Sequence, residues 1–247
     1  MVGRPRLGQL FIFGEHIMAN ILITGAARGI GQELTRQYAA NGDRVYACCR
    51  NSGSADVLNE MAAASSGQIT VHDMDVGDEA SIAACGASLK GITLDVVINN
   101  AGVTGGAHQS MGDTVVADWV ETFMINTVGP FLVAQALHDN LKASDNAKIL
   151  TVSSQLAASV WPMGGMHSYS STKAAVNRVM IGLAMDWKDA GIAVALVHPG
   201  YVQTDMGGAA AEITPTESAS GIRNVIEGMS MDNSGQFFKW NGEIHAW

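Results

Sequence analysis

A doubly wound α/β domain, with one parallel sheet held between two layers of helices, is the fold this sequence predicts. Three observations carry that expectation. From Asn20 onward, short β-branched or aliphatic runs alternate with helix-like stretches, and that alternation means βαβ units with helices on both faces of the sheet. A glycine-rich turn joins the first such run to the first helical stretch. The chain has 247 residues, 47% of them hydrophobic and 15% charged, which suits one large domain with a two-sided core.

Ile21-Leu22-Ile23-Thr24 reads as a buried strand, and Gly25 to Gly31 turns it into a helix that reaches Ala40 and stops at Asn41-Gly42-Asp43. Arg44 to Cys49 is the second strand. A helix follows over Ala55 to Ala64, and Ser66-Gly67 breaks it before a third strand over Gln68 to Met74. Asp78 to Leu89 reads as helix and Leu94 to Ile98 as the fourth strand. One long helical stretch covers Asp113 to Leu141, with Gly129-Pro130 as the place for a kink. Lys148 to Ser153 is the fifth strand, Tyr169 to Ala190 a helix capped by Gly191, and Ile192 to Val197 the sixth strand. Thr216 to Met231 is the last helix and Gln236 to Trp240 the last strand. No linker, repeat or low-complexity segment interrupts this run, so residues 19–247 are expected to form a single three-layer αβα domain. Residues 1–18 are read as an extension before it, tag-like or disordered, with Met18 as an alternative start. Arg4, Arg6 and Leu10-Phe11-Ile12-Phe13 look faintly like a signal peptide, but Gly14-Glu15-His16 interrupts the apolar stretch and no small-residue cleavage site follows.

Composition narrows the function classes. A formal net charge of −9 without any Lys/Arg run argues against nucleic acid as partner. No apolar run approaches the ~20 residues of a membrane helix. The three cysteines, Cys48, Cys49 and Cys85, lack zinc-ligand spacing and cannot all pair, and the seven histidines are scattered. No metal is expected, and a reducing cytoplasm is the simplest setting.

Thr24-Gly25-Ala26-Ala27-Arg28-Gly29-Ile30-Gly31 lies between a strand and a helix, the context in which glycines let the backbone approach a pyrophosphate at the positive end of the helix. This is the sequence mark of a dinucleotide-binding Rossmann fold. Domains of that kind that prefer NAD carry an acid about 20 residues on, at the end of the second strand. Here Cys49 is followed by Arg50, with no carboxylate. A guanidinium pairs bidentately with a 2′-phosphate, and Arg28 adds a second positive group, so the cofactor is expected to be NADP(H). Further on, Tyr169 and Lys173 stand at i and i+4 of a helix and share a face. A free phenol has a pKa of about 10 and is a sluggish proton donor near neutrality. A neighbouring ammonium favours the phenolate and brings the group closer to working pH.

From Ala19 to Trp247 the chain resembles the short-chain dehydrogenase/reductase family. Four motifs carry the likeness in the family's order: the glycine segment, Asn99-Asn100-Ala101-Gly102, Tyr169-Ser170-Ser171-Thr172-Lys173, and His198-Pro199-Gly200. The resemblance implies Tyr169 as acid/base and Lys173 as its tuning cation and ribose ligand. It places the substrate-orienting hydroxyl at Ser154, with Ser153 as the lesser alternative, since strand alternation turns the two serines to opposite faces. Ser154 lies 15 residues before Tyr169, more than the family's usual gap, so the Gln155 to Ser168 loop is read as enlarged. Asn126 matches the family's relay asparagine, with a structural hydrogen bond across the helix kink as the other reading. Asp75 matches the acid that contacts the adenine amino group, and Asp73 is easily mistaken for it. Val76, Asn100, Ala101, Gly102, Pro199, Gly200, Val202 and Thr204 complete the implied cofactor contacts, Thr204 at the nicotinamide carboxamide. The long Ser-to-Tyr loop, Thr204-Asp205-Met206-Gly207-Gly208, Gly235-Gln236-Phe237-Phe238 and terminal Trp247 look like the sniffer/C-factor-like carbonyl reductases, some of them discussed as signalling proteins.

Val160, Trp161, Met163, Met166 and Met206 lie in the two loops expected over the nicotinamide and suggest a pliable apolar substrate pocket. No Arg or Lys falls between Gln155 and Ser168, so no anionic substrate is expected to be anchored there. The reading is an NADPH-dependent reductase of small, apolar ketones and aldehydes. Its alternatives are an alcohol dehydrogenase working in the oxidative direction and a cofactor-bound signalling protein with incidental turnover. The resemblance also implies a homo-oligomer, dimer or tetramer, built through the helices bearing Asn126 and Tyr169.

Overall fold

In the first strand, β1 (Asn20–Thr24), Ile21 and Ile23 face one side of the sheet and Leu22 the other, and all three are buried. A strand that is apolar on both faces needs cover on both, which is the condition for a parallel α/β sheet. The computed structural model describes residues 18–107 and 109–247, so the expected N-terminal extension lies, apart from Met18, outside the described residues.

The remaining strands are β2 (Arg44–Cys49), β3 (Ile69–Asp73), β4 (Val96–Asn99), β5 (Lys148–Val152), β6 (Ala193–His198) and β7 (Phe237–Lys239). They form one sheet in the order β3-β2-β1-β4-β5-β6-β7, and every neighbouring pair is parallel. The order reverses between β1 and β4, and the crevice beyond the carboxyl ends of those strands is where such sheets bind ligands.

The helices are α1 (Gly29–Ala40), α2 (Asp56–Ala64), α3 (Glu79–Ser88), α4 (Val116–Phe123), α5 (Gly129–Ala136), α6 (His138–Lys142), α7 (His167–Asp186) and α8 (Pro215–Glu227). Leu34 and Tyr38 of α1, Leu58 of α2 and Ile222 of α8 pack with Ile21 and Ile23. Ile82 of α3, Val133 of α5 and Val176 and Met180 of α7 pack with Leu22 on the other face. This is the doubly wound Rossmann arrangement. No helix among the described residues is long and apolar enough to cross a membrane. Cys48, Cys49 and Cys85 are free and buried.

The single long helix expected over Asp113 to Leu141 is three helices, and the distortion comes before Gly129-Pro130 rather than at it. Met124–Val128 is a π-helical turn in which the Gly129 N–H reaches back to the Met124 carbonyl. Pro130 has no N–H to return to the Asn126 carbonyl four residues earlier, so the α-helical ladder cannot run through this point. The helix expected from Tyr169 begins two residues earlier, after Met166 in the left-handed region (φ 48°, ψ 40°), and gives way at Trp187 to a tight turn closed by Gly191 at φ 71°.

One cation is built into the frame. Lys148 is 7% exposed at the start of β5, and its ammonium donates to the carbonyls of Ile226 (2.8 Å) and Glu227 (3.2 Å) at the end of α8. Carbonyls at a helix end lack the usual partner four residues on; Ile226 receives the Met229 amide (3.2 Å) in addition, and a cation is favourable at that pole. Lys148→Met keeps the apolar stem, takes the ammonium from the Glu227 carbonyl and leaves Ile226 with the Met229 amide alone, so the expected loss is about 1–3 kcal/mol. Urea or thermal unfolding checks this, and an unchanged midpoint would show that water replaces the ammonium without cost.

Candidate active site

The carboxyl ends of β1, β4, β5 and β6 carry the residues singled out in the sequence. After β1 the chain turns through Gly25 at φ 66° and passes so close to the segment after β4 that a Cβ on Gly25 would lie 2.8 Å from Ala101 Cα. A Cβ on Gly31 would lie 2.3 Å from the Gly25 carbonyl oxygen. The Asn100 side-chain amide donates to the Thr24 (3.0 Å) and Gly25 (3.2 Å) carbonyls, while the Thr24 hydroxyl accepts from the Asn100 and Ala101 amides, each at 3.1 Å. The loop is thus bolted to the Asn100–Gly102 motif. α1 then starts at Gly29, followed by Ile30 and Gly31, with no side-chain cap and no acid in its first turn. Unopposed amides above a bare glycine backbone suit an anion, so these residues fit the pyrophosphate of a dinucleotide.

Beyond β2, Arg50 is exposed. The Asp75 carboxylate accepts from the Gly77 amide at 2.9 Å, and Val76 is buried, its carbonyl against Gly129. Arg28 pairs with Asp205 at 3.3 Å, both side chains about three-quarters exposed (75% and 77%). A pair so exposed is weak and gives way readily to a better-placed anion. Next to it, the Thr204 methyl group packs against Gly29, and the Thr204 hydroxyl is held inside its own loop by Val202 and Gly207. Pro199 accepts from Ser218 (2.7 Å), and Gly200 takes φ 88° against Ile213 and Trp240.

Just beyond β5 the two serines meet different residues of α7. The Ser153 hydroxyl donates to Asn177 of α7 at 2.6 Å, inside the core. The Ser154 hydroxyl accepts from the Leu156 amide at 3.2 Å and lies close enough to the Tyr169 phenol to favour its ionised form. Lys173, one turn along α7, is buried, and its ammonium donates to the Val152 carbonyl (2.9 Å) and lies 5.8 Å from the Tyr169 ring centre. Gly102 gives it room, since a Cβ there would be 3.4 Å from the Lys173 nitrogen and 3.1 Å from Asn126 Oδ1. Burial pushes the Tyr169 phenol up, and the Ser154 hydroxyl pulls the other way. Burial pulls the Lys173 ammonium down to about 8. Asn126, fully buried in the π-helical turn, spends its side chain on structure. Its amide donates to the Val103 carbonyl (2.8 Å) and the Thr172 hydroxyl (3.1 Å), and its oxygen accepts from the Val103 amide (2.9 Å).

Ser154, Tyr169, Lys173 and Asn126 therefore converge, with the glycine loop alongside. Val160, Trp161, Met163 and Met206 stand exposed on the two flanking loops rather than closing a cavity, and Met166 is half-buried at the foot of α7. Three contributors had escaped the sequence reading. Asn177 follows Lys173 at i+4, a spacing that pointed to the same face. Thr24 had a local signal as the last residue of a buried strand before a glycine turn. Gln109, which accepts from Ser168 (2.8 Å) and donates to the Thr104 and Gly105 carbonyls (2.8 and 2.9 Å), had none.

The sequence model of the short chain dehydrogenase family matches residues 19–214. C-signal of Myxococcus xanthus is 36% identical over 155 residues, 62% of this chain and 93% of its own length. Among solved structures, the NADPH-bound carbonyl reductase from chicken fatty liver superposes with a TM-score of 0.86 at 31% identity, over 93% of this chain and 99% of that one. The carbonyl reductase Sniffer of D. melanogaster does so with a TM-score of 0.86 at 28% identity, over 94% and 100%.

Proposed function

From the chain's membership of the short chain dehydrogenase family, whose members are oxidoreductases, we propose that it is an NADPH-dependent carbonyl reductase acting on apolar ketones and aldehydes. The observation that carries this reading is the buried Lys173 ammonium beside the Tyr169 ring, with the Ser154 hydroxyl close to the phenol, next to a glycine cradle suited to a dinucleotide. The NADPH-bound neighbour supports the cofactor, and the exposed apolar loops without Lys or Arg between Gln155 and Ser168 support the substrate class.

Gly25, Gly29, Ile30 and Gly31 with Asn100, Ala101 and Gly102 would hold the pyrophosphate and ribose. Arg50 and Arg28 would meet the 2′-phosphate, Asp75 and Val76 the adenine, and Pro199, Gly200, Val202 and Thr204 the nicotinamide. Bound there, NADPH supplies the hydride. Ser154 donates a hydrogen bond to the substrate's carbonyl oxygen, where negative charge grows. Tyr169 passes its phenolic proton to that oxygen, leaving an alcohol and a phenolate. The Lys173 ammonium, with one N–H held by Val152, stabilises the phenolate and has donors left for ribose hydroxyls. Asn126 keeps the bend in place, and because Pro130 offers its carbonyl no N–H, that carbonyl would receive the relay water. Exposed Val116 and Val120 on α4, next to α7, support assembly of copies through these helices, and three free buried cysteines support a reducing, cytoplasmic setting.

The test is NADPH oxidation with a panel of aryl ketones, diketones and aldehydes, run beside NADH from about pH 6 to about pH 10. Turnover is expected with NADPH and more weakly with NADH. The rate should hold below pH about 8 and fall above it, because Lys173 loses its charge there and the phenolate left by proton transfer loses its cation. A rate that rises through that range would remove Lys173 from the role given to it. The likeness to C-signal favours a second reading, a cofactor-bound signalling protein. Tight NADPH binding without turnover in either direction would bring that reading forward.

A further inference from the structure

In the sequence no carboxylate follows the second strand, but the fold brings one to that place. Asp73 ends β3 directly opposite Cys49, the last residue of β2. Its Oδ1 accepts the Ser52 amide at 2.6 Å, so the carboxylate sits on the turn that follows Arg50. The rest of that turn is closed on itself. Asn51 Oδ1 accepts from the Gly53 amide (3.0 Å), the Ser54 hydroxyl donates to the Asn51 carbonyl (3.3 Å), and Asn59 donates to the Ser52 carbonyl (2.7 Å). Asp73 is what ties the turn to the sheet. The Ser52 amide holds its carboxyl below the usual carboxylate range, so it is charged at neutral pH. His72 gives it little compensation, because burial lowers that imidazole and keeps it neutral. Among the described residues Arg50 enters no ion pair, so neither charge is cancelled by the other.

We propose that Asp73 is a specificity-determining residue at the adenosine end of the cleft, where its carboxylate opposes a 2′-phosphate and accepts from a free 2′-hydroxyl. It thereby holds down the preference that Arg50 creates, and the chain takes NADH as well as NADPH. The inference rests on the reading of this cleft as a nicotinamide-dinucleotide site and not on the carbonyl chemistry.

Asp73→Asn separates charge from structure, because its Oδ1 still accepts the Ser52 amide while the charge is gone. Dissociation constants for NADPH and NADH, measured by fluorescence without any carbonyl substrate, give the readout. NADPH should bind about three- to tenfold more tightly to the variant at low salt, with NADH unchanged or weaker, and the gain should shrink at high salt. Asp73→Ala, which also releases the turn, should shift the NADPH-to-NADH ratio in the same direction while lowering the melting temperature more. A residue that only shaped the turn would lose affinity for both cofactors on substitution, so a fall in NADPH affinity, or equal changes for both, overturns the proposal. So does wild-type protein that binds neither dinucleotide. Wild-type protein that binds both but reduces no carbonyl sinks the reductase reading alone, and the shift in the ratio then still supports Asp73.

Discussion

Replacing Tyr169 with Phe is expected to lower carbonyl turnover by about 10²–10⁴-fold while leaving dinucleotide affinity unchanged. The substitution removes one oxygen and keeps the ring, so the contact with Lys173 and the start of α7 are preserved. Ser154 loses the phenol as a neighbour but still accepts the Leu156 amide, so its hydroxyl is not orphaned. What disappears is the proton that the substrate oxygen must receive. The rate does not fall to zero, because Lys173, pulled down to about 8, is itself a weak acid near the site. Single-turnover rates of NADPH oxidation, beside fluorescence titration of the cofactor, separate the two quantities. Activity above a tenth of wild type would mean that another group delivers the proton.

Gly31→Ala is expected to cost nearly as much, through the cofactor. The new methyl would stand 2.3 Å from the Gly25 carbonyl oxygen, which is backbone, and 2.5 Å from the Asn100 side-chain nitrogen, which is held by its bonds to the Thr24 and Gly25 carbonyls. Gly25 cannot yield without disturbing the Ala26 amide, bonded to the Cys48 carbonyl at 2.9 Å, and the Asn100 link to the loop. The pyrophosphate cradle shifts as a unit, and displacements of that size cost about 10²-fold in turnover. Overpacking should lower stability by about 1–3 kcal/mol as well. Gly112→Ala is the control, because a Cβ there meets nothing within 4 Å. If both variants bind NADPH like wild type, the glycine loop is not the phosphate site.

The fold was legible because its signals are local. Ile21, Leu22 and Ile23 announce a strand buried on both faces, and the later runs repeat the pattern at βαβ spacing. The segment over Asp113 to Leu141 shows where local reading stops. Its apolar pattern is helical throughout, but the break at Met124–Val128 comes from Pro130 acting on a carbonyl four residues away and from Asn126 bonding across to Val103 and Thr172. The choice of Ser154 over Ser153 came from the resemblance, and in the structure the Ser153 hydroxyl is committed to Asn177 while that of Ser154 lies near Tyr169.

By itself the sequence determined the parallel α/β architecture, the glycine turn between strand and helix, and the shared face of Tyr169 and Lys173. Each of these depends on spacing within one or two elements, where backbone geometry dictates which side chains point together. Only the tertiary structure decided that Arg28 faces Asp205, 177 positions away, and that Asp73 stands on the Arg50 turn. Only it brought Ser154 to Tyr169. Those meetings are set by sheet register and by how loops from different strands settle against each other, and no periodicity along the chain encodes them. A charge absent from a motif in sequence can therefore be present at that motif in space.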